Sequence, residues 1–247
     1  MTEGHEWLRR TLNVSVNVGW QIDPFGHSTS SASVLAACGI RAQVINRIHF
    51  ATKRRWQQEK RLEFEWEVAP DHSLLTHVLY DSYSWPVGFD LEVQHIPAGA
   101  HVPLYKRTIE AMASGLRLLM LNRSAAYRTN LLMQPAGNDF RWDHAQRTFD
   151  LVDGVINKAN KNADQQAEEC SRLPESARAQ CESEIVRFLY STPDRYFSAL
   201  RKQPGLSNPP RWRADLLPYA DKLGDYWTGF YTTQPNLKAL VPTAAAA

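Results

Sequence analysis

The ten residues from Gly19 to Ser28, GWQIDPFGHS, decide how this chain is read. Before them Val14, Val16, Val18 and Trp20 alternate with Ser15, Asn17 and Gly19, the two-residue period of a half-buried strand. Pro24 and Gly26 then stop strand pairing, since proline has no N–H to give to a ladder and glycine suits a tight loop. The pattern predicts Asp23 at the C-terminal end of a strand, the edge at which parallel α/β folds bind their ligands. Taken alone, an Asp-Pro pair reads more readily as a turn whose side chain satisfies nearby backbone N–H groups. The remainder of the chain is what favours a functional aspartate.

Working outward, Ser31 to Cys38 is predicted as a helix closed by Gly39, and Ala42 to Ile45 as a short buried strand ending at Asn46-Arg47. Lys53 to Arg61 reads as a polar helix, Leu62 to Val68 as a strand, and Leu74 to Leu79 as another strand that leads into Tyr83. A helical stretch is expected from Pro103 to about Tyr127, followed by a strand from Asn130 to Met133 and a Pro135-Ala136-Gly137 turn that presents Asp139. Ile185 to Leu189 reads as a strand, Thr192-Pro193-Asp194 as the capped start of a helix to Arg201, and Gln203 to Leu217 as a surface connection. Strands that alternate with helices predict a parallel sheet or a barrel-like α/β domain. Asp23, Arg47, Tyr83 and Asp139 each fall just after a predicted strand, which places four polar candidates on one edge.

Composition narrows the class. At 247 residues, 43% hydrophobic and 22% charged, the chain can bury one sizeable core. A net charge of +2 gives no reason to expect nucleic acid, and Lys53-Arg54-Arg55 reads as a solvated helix face. No apolar run reaches the roughly 18 residues that span a bilayer, and Met1 to Arg10 lacks the apolar core of a signal peptide. Of three cysteines, Cys38 is expected as a buried thiol on a helix, while Cys170 and Cys181 admit either a local disulfide or two free thiols. The triplets Asn13-Val14-Ser15 and Asn122-Arg123-Ser124 match the N-glycosylation acceptor pattern.

GWQIDPFGHS resembles the nucleophile motif of glycoside hydrolase family 38, the zinc-dependent retaining α-mannosidases of Golgi, lysosome and vacuole. Further blocks are similar to that catalytic domain in the family's order: QVINRIHF at 43–50, LEFEWE at 62–67, THVLYDSYSWP at 76–86, YRTNLLMQPAGNDFR at 127–141 and YADKLGDYWTGFYTTQP at 219–235. The resemblance implies that Asp23 is the catalytic nucleophile and a zinc ligand, and that Phe25 lines the same subsite. It implies that Arg47 lies beside the nucleophile, that Tyr83 contacts the sugar, and that Asp139 is the general acid/base. Asn138 stands where some members carry a second aspartate.

The expected activity is therefore retaining hydrolysis of terminal α-linked mannose on N-glycan-type oligosaccharides by double displacement, in a secretory-pathway lumen, with Zn2+ whose other ligands come from segments not found here. The HxDPGW segment that opens the family's catalytic domain is missing from this sequence, as is a downstream histidine. On this reading residues 1–247 are one partial catalytic domain, incomplete at both ends, with a charged insertion near 160–184. The alternative is a catalytically inactive, carbohydrate-binding remnant of the family. A metal deacetylase is disfavoured because neither HxH nor HExxH occurs. His27 is expected to support the Asp23 loop as a neutral imidazole, and Trp227 and Tyr231 to belong to the core.

Overall fold

The computed structural model describes residues 1–70, 72–91, 108–142 and 145–245. It is mixed α/β, built on a five-stranded sheet of order β1-β2-β4-β3-β5, with β1 at Val18–Gln21, β2 at Ala42–Ile45, β3 at Glu63–Ala69, β4 at His72–Val78 and β5 at Arg211–Trp212. The helices are α1 Thr2–Leu12, α2 Thr29–Ala37, α3 Phe50–Gln58, α4 Ile109–Ser124, α5 Ala145–Ser171, α6 Glu175–Ser183, α7 Pro193–Leu200 and α8 Pro235–Ala245. The chain divides into two compact units: Met1–Trp56, Glu65–Thr76 and Arg211–Ala247 form the first, and Gln57–Phe64 with His77–Pro210 the second.

In the first unit β1, α2 and β2 make the expected β-α-β crossover, with β1 and β2 parallel and Val18 opposite Ala42. Ser28 caps α2 by accepting from the Ser31 backbone N–H at 3.3 Å, and Gly39, at φ 87°, takes the left-handed turn that ends the helix. The expected strand from Val14 shortens to Val18–Gln21, and its faces are reversed. Trp20 and Val14 are exposed, whereas Gly19 is the buried residue, facing Leu35 and Ile40. The small residue sits where the helix crosses the strand, so alternation of large apolar residues pointed to the wrong face.

The β2 burial pattern is unbroken, as predicted for a central strand, and Val44 and Ile45 have no exposed surface. Only Pro70 and Asp71 separate β3 from its neighbour β4, too short a link for a crossover, so this pair is a hairpin rather than the parallel pairing expected throughout. Residues 203–217 are more than a surface connection. They contain a short 3₁₀ turn at Pro204–Leu206 and then β5, which pairs in parallel with β3 at Glu65 and Trp66.

The second unit is mainly helical. Leu91, Met112, Ala113, Val152, Val155 and Ala159 form its buried cluster, with Trp85 and Phe188 packed against them. The expected charged insertion is the end of α5 plus α6, and a Cys170–Cys181 disulfide joins the two helices. Cys38 is half-buried at the C-terminal cap of α2. Thr192 caps α7 through the Arg195 N–H, as the Thr-Pro-Asp signal predicts. The strands expected at Asn130–Met133 and Ile185–Leu189 are not formed; both segments are irregular. The start of the helical stretch at Pro103 lies outside the described residues, and α4 ends at Ser124 rather than Tyr127. Asn13 is exposed in a left-handed conformation after α1, while Asn122 lies within the last turn of α4.

Candidate functional site

The register of β1 against β2 pairs residues 24 apart, from Val18–Ala42 to Gln21–Ile45, and Asp23 and Arg47 continue that offset two residues past the strand ends. There Arg47 Nε donates to Asp23 Oδ1 at 2.6 Å. The arginine side chain is the more buried partner, 20% exposed against 54% for the aspartate. Arg47 Nη1 also donates to the Tyr219 hydroxyl at 3.3 Å, and that hydroxyl donates to Asp221 Oδ1 at 2.9 Å. Burial disfavours the guanidinium's charge, yet the bonds to Tyr219 and Asp23 outweigh it and raise the pKa above the usual arginine value. Arg47 is a fixed cation.

Aromatic rings enclose that cation. The Arg47 guanidinium carbon lies 5.3 Å from the centres of both Phe25 and Trp227 and 5.8 Å from that of Tyr219, within cation–π range. Phe25 meets Phe230 edge-on at 4.5 Å and Trp227 at 4.9 Å, and its backbone N–H donates to the Tyr231 hydroxyl at 2.5 Å. Expecting Trp227 and Tyr231 in the core was wrong: Tyr231 is 56% exposed, and half-buried Trp227 lines the arginine. Tyr219 and Phe230 were missed as site residues. The aromatic density of DYWTGFYT was the available signal, but only tertiary structure aims it at Arg47.

His27 holds the Asp23 loop in place. Its backbone exchanges hydrogen bonds with Leu216 at 3.1 and 2.8 Å, and a side chain at Gly26, whose φ is 89°, would run into Leu217. Burial and the charge of Lys53 lower the His27 pKa from 6.5 to about 4, so the ring is neutral, as expected for a supporting residue. The sign follows from linkage. The unfolded chain takes up a proton below pH 6.5 and the native one refuses it until about pH 4, so stability is complete above this window and falls as pH drops through it. His27 should cost about 2 kcal/mol between pH 7 and pH 5. Urea unfolding of His27→Gln at the two pH values should show a smaller loss than wild type, and an equal loss would reject the assignment.

In the second unit the irregular segments after β4 and after α4 carry Tyr83 and Asp139. Tyr83 is half-buried and Asp139 exposed, with Asn138 Oδ1 accepting the Asp139 backbone N–H at 2.8 Å. Trp85 N–H donates to Gly137 O at 2.8 Å, so the two segments are directly joined. Asp23, Phe25 and Arg47 thus come together in one unit, and the Tyr83 and Asp139 segments in the other.

Zinc, implied by the family resemblance, finds one ligand among the candidates, Asp23. No group of three or more His, Cys, Asp or Glu side chains is arranged for a metal among the described residues. This donor set does not complete a zinc site. A cavity of about 620 Å³ lies elsewhere, lined by Thr29, Glu65, Glu67, His72, Arg211 and Arg213 among others, and contains none of the candidates.

The glycosyl hydrolases family 38 N-terminal domain model matches residues 1–222. The chain belongs to glycosyl hydrolase family 38. A lysosomal alpha-mannosidase of Dictyostelium discoideum is 30% identical over 247 residues, covering 98% of this chain and 22% of that protein. Alpha-mannosidase 2x of Mus musculus is 29% identical over 97% of this chain and 22% of its own length. The family 38 chain therefore spans about a fifth of these curated relatives. The crystal structure of an alpha-mannosidase from Enterococcus faecalis V583 superposes with a TM-score of 0.50 at 18% identity, covering 87% of this chain and 19% of that one. That likeness supports the mixed α/β fold. No helix among the described residues is long and apolar enough to cross a membrane.

Proposed function

We propose that this family 38 chain supplies the nucleophile subsite of a retaining α-mannosidase that acts on terminal α-linked mannose of N-glycan-type oligosaccharides. The observation that carries the reading is the Asp23–Arg47 ion pair, set by strand register at the C-terminal edge of β1 and β2 and walled by Phe25, Trp227 and Tyr219. A carboxylate held by a permanent cation is oriented to attack, and aromatic rings present faces for the C–H side of a sugar. In the first displacement an Asp23 oxygen bonds to the anomeric carbon as the glycosidic C–O bond breaks, and Asp139 gives its proton to the departing oxygen. Water then attacks the anomeric carbon, Asp139 takes its proton back, and Asp23 leaves with the ester electrons. Tyr83 contacts the sugar.

No step is assigned to zinc, because the side chains of the described residues do not complete its ligand set. The parallel β1–β2 and β3–β5 pairs support placing the sheet in the family's barrel-like catalytic domain, to which residues 1–247 contribute one part. The Cys170–Cys181 disulfide and the lysosomal name of the Dictyostelium relative support a secretory-pathway lumen. The metal ligand set, incomplete among the described residues, favours a second reading, carbohydrate binding without turnover. A 2-deoxy-2-fluoro-α-mannoside with an activated leaving group separates the two. Stoichiometric labelling that peptide mapping places on Asp23 is expected, whereas reversible mannose binding with no labelled peptide supports the binding reading and a label on another residue overturns the nucleophile.

A further inference from the structure

Arg123 is a buried cation of the second unit, 7% exposed, and nothing in its sequence setting marks it as part of the chemistry. It lies in the last turn of α4, where the helix dipole favours a positive charge. Its side chain reaches away from the helix. Nη2 donates to Asp81 Oδ2, Nη1 donates to Gln134 Oε1, and the guanidinium carbon sits 4.9 Å from the centre of the Tyr80 ring. The Nε atom is buried without a hydrogen-bond partner among the described residues. Among the described residues the desolvated cation is thus compensated by groups from two segments.

Those segments are the ones that carry Tyr83 and Asp139. Asp81 stands two residues before Tyr83, and Gln134 five before Asp139. Two further contacts reinforce the junction, Trp85 N–H to Gly137 O at 2.8 Å and the Trp85 and Trp142 rings stacked at 6.2 Å, while Trp142 Nε1 donates to Ala136 O at 3.3 Å within the Asp139 segment. Neither segment has strand pairing of its own to fix it. We propose that Arg123 is a positioning residue that clamps the Tyr83 segment to the Asp139 segment and so sets the acid/base carboxyl against the sugar-contact tyrosine. The proposal rests on the roles given above to Tyr83 and Asp139.

The planar fork is what the clamp requires. Lysine retains the charge but is a point donor and cannot span two acceptors in fixed directions. In Arg123→Lys the Trp85 amide should exchange with deuterium at least about tenfold faster than in wild type, since its acceptor Gly137 lies across the junction. Gln134→Met frees one arm of the fork only, and gives a milder readout should Arg123→Lys fail to fold. Unchanged Trp85 exchange in a folded Arg123→Lys or Gln134→Met protein overturns the clamp.

The chemical arm compares α-mannosides with poor and good leaving groups, in parallel with Asp139→Ala. Loss of a placed acid should lower kcat for the poor leaving group at least about tenfold more than for an activated aryl mannoside. Arg123→Lys should show the same asymmetry with less change in KM. If Asp139→Ala shows it and Arg123→Lys loses both substrates equally, Arg123 is structural only and the proposal falls. If Asp139→Ala itself shows no asymmetry, the acid/base assignment is what fails, and the exchange measurement still decides the clamp.

Discussion

Asp23→Asn should lower α-mannoside turnover by about a thousandfold or more while leaving the unfolding midpoint close to wild type. An amide cannot form the glycosyl ester, but it retains the shape and polarity of the side chain beyond β1. The exposed Asp23 side chain makes its loss cheap in stability, since ion pairs with one solvated partner contribute little. In Asp23→Gly, added azide should restore release of an activated aryl group and yield the β-mannosyl azide, because one displacement inverts the anomeric carbon where two retain it. Wild-type turnover in Asp23→Asn, or an α-configured azide product from Asp23→Gly, would remove Asp23 from the nucleophile role. Arg47→Lys should fall between these extremes, as an ammonium keeps the charge but loses the planar contact with the surrounding rings.

The second large effect concerns stability, in a part of the molecule that takes no part in the proposed reaction. Glu63, at the start of β3, is 2% exposed, and its Oε1 accepts from the Tyr196 hydroxyl at 2.5 Å and faces His77 Nδ1 at 3.1 Å. His77 is fully buried and stacks on Tyr127 with ring centres 5.5 Å apart. Glu63 Oε2 and His77 Nε2 have no hydrogen-bond partner among the described residues, so the cluster carries desolvated polar atoms it only partly satisfies. His77→Leu would withdraw one partner from a buried acid and should cost about 3–5 kcal/mol. For a domain of this size that is a fall in Tm on the order of 10 °C. The double variant Glu63→Leu with His77→Leu should lose less than the sum of the two single changes, because the Glu63–His77 contact is then removed once rather than twice, although the Tyr196 hydroxyl loses both partners. A double variant as unstable as the sum of the two single changes would show that the two side chains act independently.

Much of the candidate site was legible in the sequence for a local reason. The β1-α2-β2 unit is short, its caps at Ser28 and Gly39 are set by neighbouring residues, and the loop chemistry of Pro24 and Gly26 fixes where Asp23 emerges. Arg47 followed from the same logic at the end of β2. What sequence did not reveal depended on distant partners. Trp20 was taken as the inward residue, but the inward position belongs to Gly19, because α2 lies against that face. β5 went unnoticed because two residues, Arg211 and Trp212, carry no periodicity, and their strand character exists only through pairing with β3. Two of the rings around Arg47, those of Tyr219 and Trp227, come from residues more than 170 positions away. Conversely, Asn130–Met133 and Ile185–Leu189 had apolar strand-like composition but pair with no strand of the sheet, and they remain irregular.

The constant offset between β1 and β2 also makes the site a check on its own assembly. Were β1 to slip by one residue against β2, Asp23 would stand opposite Asn46 or Ile48, exchanging a guanidinium for an amide or an aliphatic side chain. Only one alignment of the two strands brings opposite charges together, so the pairing error that would misplace the carboxylate is also the one that forfeits its ion pair. The intervening helix, by contrast, enters this bookkeeping only through where it returns the chain: residues added between Ala37 and Arg41 leave Asp23 facing Arg47 so long as Val18 still meets Ala42.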